Sequence, residues 1–161
     1  MDFELLDEQR QIQATFARFC DERIVPNAAA IDEAHAFPRQ LFAELGSLGF
    51  FGMRYPEEVG GSGTALTEFC LPLQEIARGS MSLAGCATMQ SLMGTKFLEM
   101  LGGQDIRERL LVPALRGEKI GGICMTEPDA GSDLGGIATT ARKVDGGYRL
   151  KGQKIWVTSA P

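Results

Sequence analysis

The first three quarters of the chain carry the hydrophobic spacing of α-helices. Between Leu5 and Ile31, apolar residues recur about three, four or seven positions apart, so one stripe of a helix is predicted to face a core. Pro26 is expected to bend or break this helix just after Val25, because proline lacks the backbone N–H that a helix needs. The stripe consists of Leu5, Ile12, Phe16, Phe19, Ile24 and Ile31.

Proline, glycine and aspartate mark the predicted ends of further helices. A second helix is predicted to begin at Pro38, a favourable residue in a first turn, and to end at Gly49, a natural C-terminal cap. Asp105 is expected to cap a last helix that runs to about Val112 or Leu115.

Between these helices, a loop rich in turn-forming residues at 55–63 precedes two more helical segments. The first covers about 66–78, and Pro72 is expected to weaken its start and shorten it. The second covers 81–101 and carries two stripes. A methionine-rich helix usually packs in a core, and a ligand pocket is the alternative. The weakly polar stripe is Ala84, Thr88, Leu92 and Thr95; the fuller one is Met89, Met93, Phe97 and Met100.

At Ile120 the pattern changes to short β-type segments separated by Gly, Pro and Asp. They cover 120–126, 138–145, 148–151 and 154–158, and Asp145-Gly146-Gly147 is a hairpin signal. The predicted fold is therefore mainly α with a partial β domain. An α-helical N-terminal bundle over 1–119 is followed by the first strands of an antiparallel β-barrel over 120–161. A sheet of so few strands has unpaired edges. We therefore expect residues beyond Pro161, or another chain, to complete the sheet.

Composition and charge narrow the class of protein. The 161 residues are 44% hydrophobic and 23% charged, as in folded proteins, and a net charge of −5 argues against a nucleic-acid partner. The N-terminus lacks the order of a signal peptide, and no apolar run is long enough to span a membrane. With His35 as the only histidine and no CxxC motif, no metal site is expected. These features predict a cytoplasmic protein.

Two short segments are candidates for chemistry. Met125-Thr126-Glu127-Pro128-Asp129-Ala130-Gly131-Ser132-Asp133 is either a nest of backbone donors for a phosphate or carbonyl oxygen, or an ordinary turn. The second segment is Gly152-Gln153-Lys154-Ile155-Trp156-Val157-Thr158, in which strand alternation would place Trp156 and Thr158 on one face. An indole beside a hydroxyl suits a flat heteroaromatic ligand with a polar edge, and the alternative is a core tryptophan with a neighbouring threonine. The chain contains none of GxGxxG, GxxxxGK[ST] and GxSxG.

Together these two segments, 24 residues apart from Ser132 to Trp156, resemble the flavin-dependent acyl-CoA dehydrogenase family. The resemblance extends along essentially the whole chain, through Leu5-Leu6-Asp7-Glu8-Gln9, Ile24-Val25-Pro26, Pro56-Glu57-Glu58-Val59-Gly60-Gly61-Ser62-Gly63 and Glu75-Ile76-Ala77-Arg78-Gly79. Asp129 departs from the glycine frequent in the family, and the length departs more, since over half of the expected protein is absent.

The resemblance implies FAD as cofactor, bound between a middle β-barrel and a C-terminal helical domain. Thr126 would contact the flavin through its hydroxyl, Trp156 would pack against the isoalloxazine, and Thr158 would hydrogen-bond near the reactive nitrogen of the flavin. The residues implied to border the flavin are Ile123, Cys124, Met125, Thr126, Glu127, Pro128, Asp129, Ala130, Gly131, Ser132, Trp156, Val157 and Thr158. Those implied to contact the substrate are Ser132, Gly85, Met89 and Met93.

The implied reaction is α,β-dehydrogenation of an acyl-CoA thioester in fatty acid metabolism, with hydride transfer to FAD. Electrons would pass to an electron-transfer flavoprotein, and the enzyme would be a homo-oligomer, a dimer or tetramer. The family's catalytic glutamate lies in the C-terminal domain, so no residue here is assigned as the base. The alternatives are an acyl-ACP dehydrogenase, a flavin oxidase or monooxygenase, and a non-catalytic helical fragment that pairs with a full-length homologue.

Overall fold

The computed structural model describes residues 4–160, and its first helix bends earlier than the sequence predicts. The helix α1 spans Asp7–Phe19, a π-helical turn follows at Cys20–Ile24, and a 3₁₀ turn at Val25–Asn27 contains Pro26. Since Pro26 has no N–H to continue the ladder, the hydrogen bonds rearrange in the turn before it. The ends of the two predicted domains, residues 1–3 and 161, lie outside the described residues.

The next helices confirm one predicted boundary and correct another. Gly49 takes the left-handed φ of 79° just beyond the helix that Pro38 precedes, as a C-terminal cap requires. Pro72, however, does not shorten its helix, because Phe69 and Ile76 bury the same helical face against the core. The helices here are α2, Ala28–Ala34; α3, Arg39–Ser47; and α4, Leu66–Gly79.

The predicted continuous helix over 81–101 is interrupted by a π-helical turn. The last helix starts at Gln104, so that Asp105 lies inside its first turn rather than at the cap, and it ends at Leu115. The helical elements are α5, Met81–Met89; a π turn, Gln90–Gly94; α6, Lys96–Leu101; α7, Gln104–Ile106; a second π turn, Arg107–Leu111; and α8, Val112–Leu115.

Aromatic side chains form the centre of the helical core. Phe50 lies in a 3₁₀ turn after α3, is fully buried, and stacks on Phe69 of α4 with ring centroids 5.1 Å apart. Phe16 of α1 meets the edge of Phe50 at 5.8 Å. Burial of such rings supplies most of the driving force for packing the helices together.

The methionine-rich stripe does not belong to this core. Met93, Phe97 and Met100 are 40%, 54% and 60% exposed, while Met89 is half-buried. The core interpretation is therefore wrong for these three residues within the described chain. The helix therefore has an apolar surface that no other part of residues 4–160 covers.

The β region contains one antiparallel hairpin. β1, Thr140–Val144, pairs with β2, Gly147–Lys151, through the predicted turn, and Gly146 adopts a φ of 76° there. The predicted strands over 120–126 and 154–158 are irregular segments without a regular ladder. Within residues 4–160 the sheet has two strands and does not close into a barrel.

No helix in the described part of the chain is both long and apolar enough to cross a membrane.

Candidate functional site

The proline turn at 127–130 is closed by two backbone hydrogen bonds. The N–H of Glu127 donates to the carbonyl oxygen of Ala130 at 2.9 Å, and the N–H of Ala130 donates back at 3.2 Å. Pro128 and Asp129 form the exposed tip, while Ala130 is buried. The turn is thus a fixed corner rather than a flexible linker.

The carboxylate of Glu127 binds three donors from later parts of the chain. Lys154 Nζ donates to Oε1 at 2.8 Å, the N–H of Thr139 donates to Oε1 at 3.0 Å, and the N–H of Ala138 donates to Oε2 at 2.8 Å. The ammonium of Lys154, helped by these backbone donors, lowers the pKa of Glu127 to about 2. With only 7% of its surface exposed, Glu127 organises the turn instead of presenting its carboxylate to a ligand.

The two segments singled out by the sequence run side by side. The N–H of Ile155 donates to the carbonyl oxygen of Thr126 at 3.0 Å, and Lys154 Nζ donates to that of Met125 at 3.1 Å. At the other end, a Cβ placed on Gly122 would lie 3.1 Å from the carbonyl oxygen of Thr158. We call the paired segments 122–126 and 154–158 the two-segment wall.

Trp156 stands out from this wall. Its backbone is left-handed, with a φ of 55°, and its side chain is 86% exposed. A left-handed residue interrupts strand alternation, so the argument that alternation places Trp156 and Thr158 on one face is wrong. Non-glycine residues rarely adopt this conformation, and they concentrate where function or tight turns require it.

The first segment of the wall has backbone N–H groups without a partner in the part of the chain that the structure describes. The backbone N–H groups of Ile123, Cys124, Met125 and Thr126 donate no hydrogen bond within residues 4–160. Cys124 is exposed and the other three are half-buried. Unpaired donors on one segment and an exposed aromatic ring on the segment paired with it fit a planar heteroaromatic group with polar edges, as the isoalloxazine of FAD is.

Beyond the turn, the chain stays open to solvent. Gly131 and Ser132 are exposed, and Asp133 accepts the N–H of Gly135 at 3.1 Å, which caps a 3₁₀ turn at Leu134–Gly136. Val157 is half-buried and Thr158 is exposed on the second wall segment. Ser132 and Thr158 therefore have hydroxyl groups accessible to a ligand.

Three of the four predicted substrate residues lie on the helical segment 81–94. Gly85 is exposed on α5, and a Cβ built on it would meet nothing within 4 Å. Met89 ends α5, and Met93 lies in the π turn next to Gly94. A Cβ on Gly94 would lie 2.7 Å from the carbonyl carbon of Gly121, so this helix approaches the start of the wall at backbone distance.

Two organising residues were missed at the sequence level, Lys154 and Gln90. Lys154 joins the wall segments through Glu127 and Met125. Gln90, fully buried, binds the backbone that leads into the wall. The available signal for Gln90 was an amide on a helix of mostly small and apolar residues, and for Lys154 it was a cation directly before the apolar pair Ile155-Trp156.

Both parts of the chain match models of one protein family. Residues 6–118 match the family model described as acyl-CoA dehydrogenase, N-terminal domain, and residues 122–161 match the acyl-CoA dehydrogenase middle domain. The chain belongs to the acyl-CoA dehydrogenase family. The mainly helical fold with a short antiparallel sheet is that of its structural neighbours.

Three matches span nearly the whole chain. Benzylmalonyl-CoA dehydrogenase of Aromatoleum aromaticum is 74% identical over 100% of this chain and 43% of its own length. Glutaryl-CoA dehydrogenase of Mycobacterium smegmatis in complex with FADH2 has a TM-score of 0.89 at 29% identity, over 95% and 39% of the two chains. A structure described as the electron transferring flavoprotein of Acidaminococcus fermentans has a TM-score of 0.89 at 29% identity, over 98% and 41%.

The chain thus spans about two fifths of the length of these proteins.

Proposed function

We propose that the protein acts as an FAD-dependent acyl-CoA dehydrogenase, an oxidoreductase of CH–CH bonds. The observation that carries the proposal is the two-segment wall, in which the bond from Ile155 to Thr126 brings exposed Trp156 beside unpaired backbone donors. Family membership and the FADH2 complex of a structural neighbour support FAD as the group that this wall binds.

When bound, FAD supplies a two-electron acceptor for the β-hydrogen of a thioester. In the proposal, the chain's own residues position it: Trp156 packs on the ring, and the N–H groups at 123–126 with the hydroxyls of Thr126 and Thr158 bind its polar edge. Fixed donors of this kind need no reorganisation during the reaction. None of the described residues is proposed as the base that removes the α-proton.

The proposed substrate is an acyl-CoA of the benzylmalonyl-CoA class, a thioester with an aryl group on its β-carbon. The 74% identity to benzylmalonyl-CoA dehydrogenase supports this class. Ser132 would contact the thioester, and Gly85, Met89 and Met93 would border the acyl group. The polarisable side chains of methionine adapt readily to an aromatic ring, and the exposed faces of Gly85 and Met93 leave them accessible.

The remaining features of the proposal concern assembly. An electron-transfer flavoprotein is the proposed electron acceptor, in line with the match to such a structure. A homo-oligomer, a dimer or tetramer, is proposed because the exposed stripe of Met93, Phe97 and Met100 is an apolar surface that a second subunit can cover. The proposed domain division lies at 119/120, and the family matches that end at 118 and begin at 122 support it. The proposed location is the cytoplasm.

The test compares Trp156→Ala with Tyr148→Ala in the holoenzyme, since Tyr148 on β2 is also an exposed aromatic residue, at 68%. We expect Trp156→Ala to lose FAD or shift its absorption bands, and Tyr148→Ala to match the wild type. An unchanged flavin spectrum and flavin content in Trp156→Ala would exclude the wall as the flavin site. Wild-type enzyme that binds FAD but oxidises neither benzylmalonyl-CoA nor other acyl-CoA thioesters would refute the proposed activity.

A further inference from the structure

Gln90 is fully buried, and both polar atoms of its side-chain amide form hydrogen bonds. Nε2 donates to the carbonyl oxygens of Ala114 at 2.8 Å and Lys119 at 2.9 Å. Oε1 accepts the N–H of Gly121 at 2.6 Å. One side chain thus holds three backbone groups of the connector, which we define as residues 114–121, from the end of α8 to the start of the two-segment wall.

The π turn fixes the place from which Gln90 reaches the connector. Thr95 Oγ1 donates to the carbonyl oxygen of Gln90 at 2.6 Å, and it lies 2.7 Å from the hydroxyl of Tyr55. Thr95, Tyr55 and Gln90 are all buried, so these hydrogen bonds are shielded from water. Single π turns inside α-helices occur frequently at functional sites.

The position of Gln90 links two parts of the candidate site. It follows Met89 directly and precedes Met93 by three residues, so it lies on the helical segment that carries the proposed acyl-pocket residues. On the other side, Gly121 is followed at once by the first wall segment, 122–126. The backbone contact between Gly94 and Gly121 brings the same two segments together.

We propose that Gln90 is a positioning residue for the flavin: it sets the register of the first wall segment against the helix that borders the acyl group. The inference rests on the proposed function for its consequence in catalysis. Its structural basis, the anchoring of the connector by the Gln90 amide, is independent of any ligand.

Only an amide meets the demands of this position. The carbonyl oxygen of Lys119 needs a donor and the N–H of Gly121 needs an acceptor, and buried groups left unpaired destabilise the arrangement. The carbonyl oxygen of Ala114 also accepts the N–H of Gly117 at 3.0 Å, so Gln90 adds a second donor there. A carboxylate of nearly the same shape accepts from Gly121 but repels both carbonyl oxygens. When it is protonated, its O–H can donate to one of them, so a glutamate here makes the anchoring depend on pH.

The experiment therefore uses Gln90→Glu in the holoenzyme. We expect its dissociation constant for FAD to rise at least about tenfold at pH 8, from the loss of two hydrogen bonds. At pH 6 we expect it to return to within about threefold of the wild type, because burial favours the protonated acid. Changes in the flavin absorption bands and in kcat should follow the same pH dependence.

Two controls separate positioning from general stability. Ser91→Ala changes a buried neighbour in the same π turn, whose Oγ makes no hydrogen bond within the described residues, and should leave FAD affinity unchanged. Phe69→Leu lowers stability in the helical core without touching the connector. Positioning is refuted if Gln90→Glu has wild-type affinity at pH 8, or if its loss does not depend on pH and equals that of Phe69→Leu.

A measurement on the unmodified protein keeps the proposal open to refutation even if the Gln90→Glu variant does not fold. The amide hydrogen of Gly121 should exchange with solvent as slowly as amides in the helical core. Exchange as fast as that of an open loop would overturn the anchoring. This result does not depend on FAD, whereas wild-type protein that neither binds FAD nor oxidises acyl-CoA contradicts the proposed function instead.

Discussion

The helical region and the β region of this chain are held together by different forces. Up to residue 119, aromatic and aliphatic side chains such as Phe50 are fully buried and pack the helices around two hydrophobic clusters. Over residues 120–160, Glu127 and Ala130 are the only buried residues, and both lie in the proline turn. Apolar burial therefore stabilises the first region, while specific polar contacts shape the second, where the candidate flavin wall lies.

The largest expected effect is the removal of an aromatic ring from the helical core. Phe50→Ala should lower the free energy of unfolding by about 3–5 kcal/mol, because the ring is fully buried among three other phenylalanines. Tyr148→Ala on the exposed hairpin should change it by less than about 0.5 kcal/mol. Chemical denaturation measures both, and equal effects would contradict the contrast between the regions.

The contact between the regions can be broken at Gly94. A Cβ on Gly94 would lie 2.7 Å from the carbonyl carbon of Gly121, so Gly94→Ala must displace backbone and should cost about 1–3 kcal/mol. Gly85→Ala is the matched control on α5, where open space lets alanine favour the helix by up to about 1 kcal/mol. Thermal unfolding of the two variants tests this difference, and opposite signs are expected.

A subtler change tests the polar centre of the β region. Glu127→Gln removes the charge that pairs with Lys154, so the two wall segments should separate more readily and FAD affinity should fall about tenfold. The variant should keep the unfolding free energy of the helical core. Titration with FAD, with Asp145→Asn in the exposed hairpin turn as control, measures the loss. Equal affinities for Glu127→Gln and wild type would show that the ion pair does not hold the wall.

The last expected effect concerns acid, and it is confined to pH values below about 4.5. The pKa of Glu127 is about 2 in the fold, below its ordinary value near 4.5, so the unfolded state binds the proton more readily. The stability from this carboxylate is complete above about pH 4.5 and is lost as the pH falls towards 2. Glu127 stays ionised from pH 8 to about 5, so its titration should not change the flavin content in this range. Glu127→Gln should show a weaker acid dependence below pH 4.5, and an identical one would contradict the shifted pKa.

Local sequence signals predicted the helical region well because its contacts follow periodic spacing. Phe16 and Ile24 of the predicted stripe are buried in the core, and Gly49 caps its helix as expected. Pro72 misled because a local rule about helix interruption ignores the tertiary burial of the surrounding face. The stripe at Met93 and Phe97 misled because residue type does not reveal whether a partner covers it.

The candidate site was predictable as a pair of segments but not as geometry. The motifs around Ser132 and Trp156 indicated two neighbouring segments, and the bond from Ile155 to Thr126 joins them. The left-handed backbone of Trp156 and the ion pair of Glu127 with Lys154 depend on contacts between distant residues, which no local pattern encodes. The individual flavin and substrate contacts stay predictions.

Fluorescence of the indole tests the central claim most directly. Trp156 is the only tryptophan in the 161 residues, so the emission that a Trp156→Phe variant removes reports on this side chain. Addition of stoichiometric FAD to the apoprotein should quench that emission strongly, because the proposed wall places the ring system against the indole. Emission from Trp156 that stays unchanged while FAD binds would contradict the account.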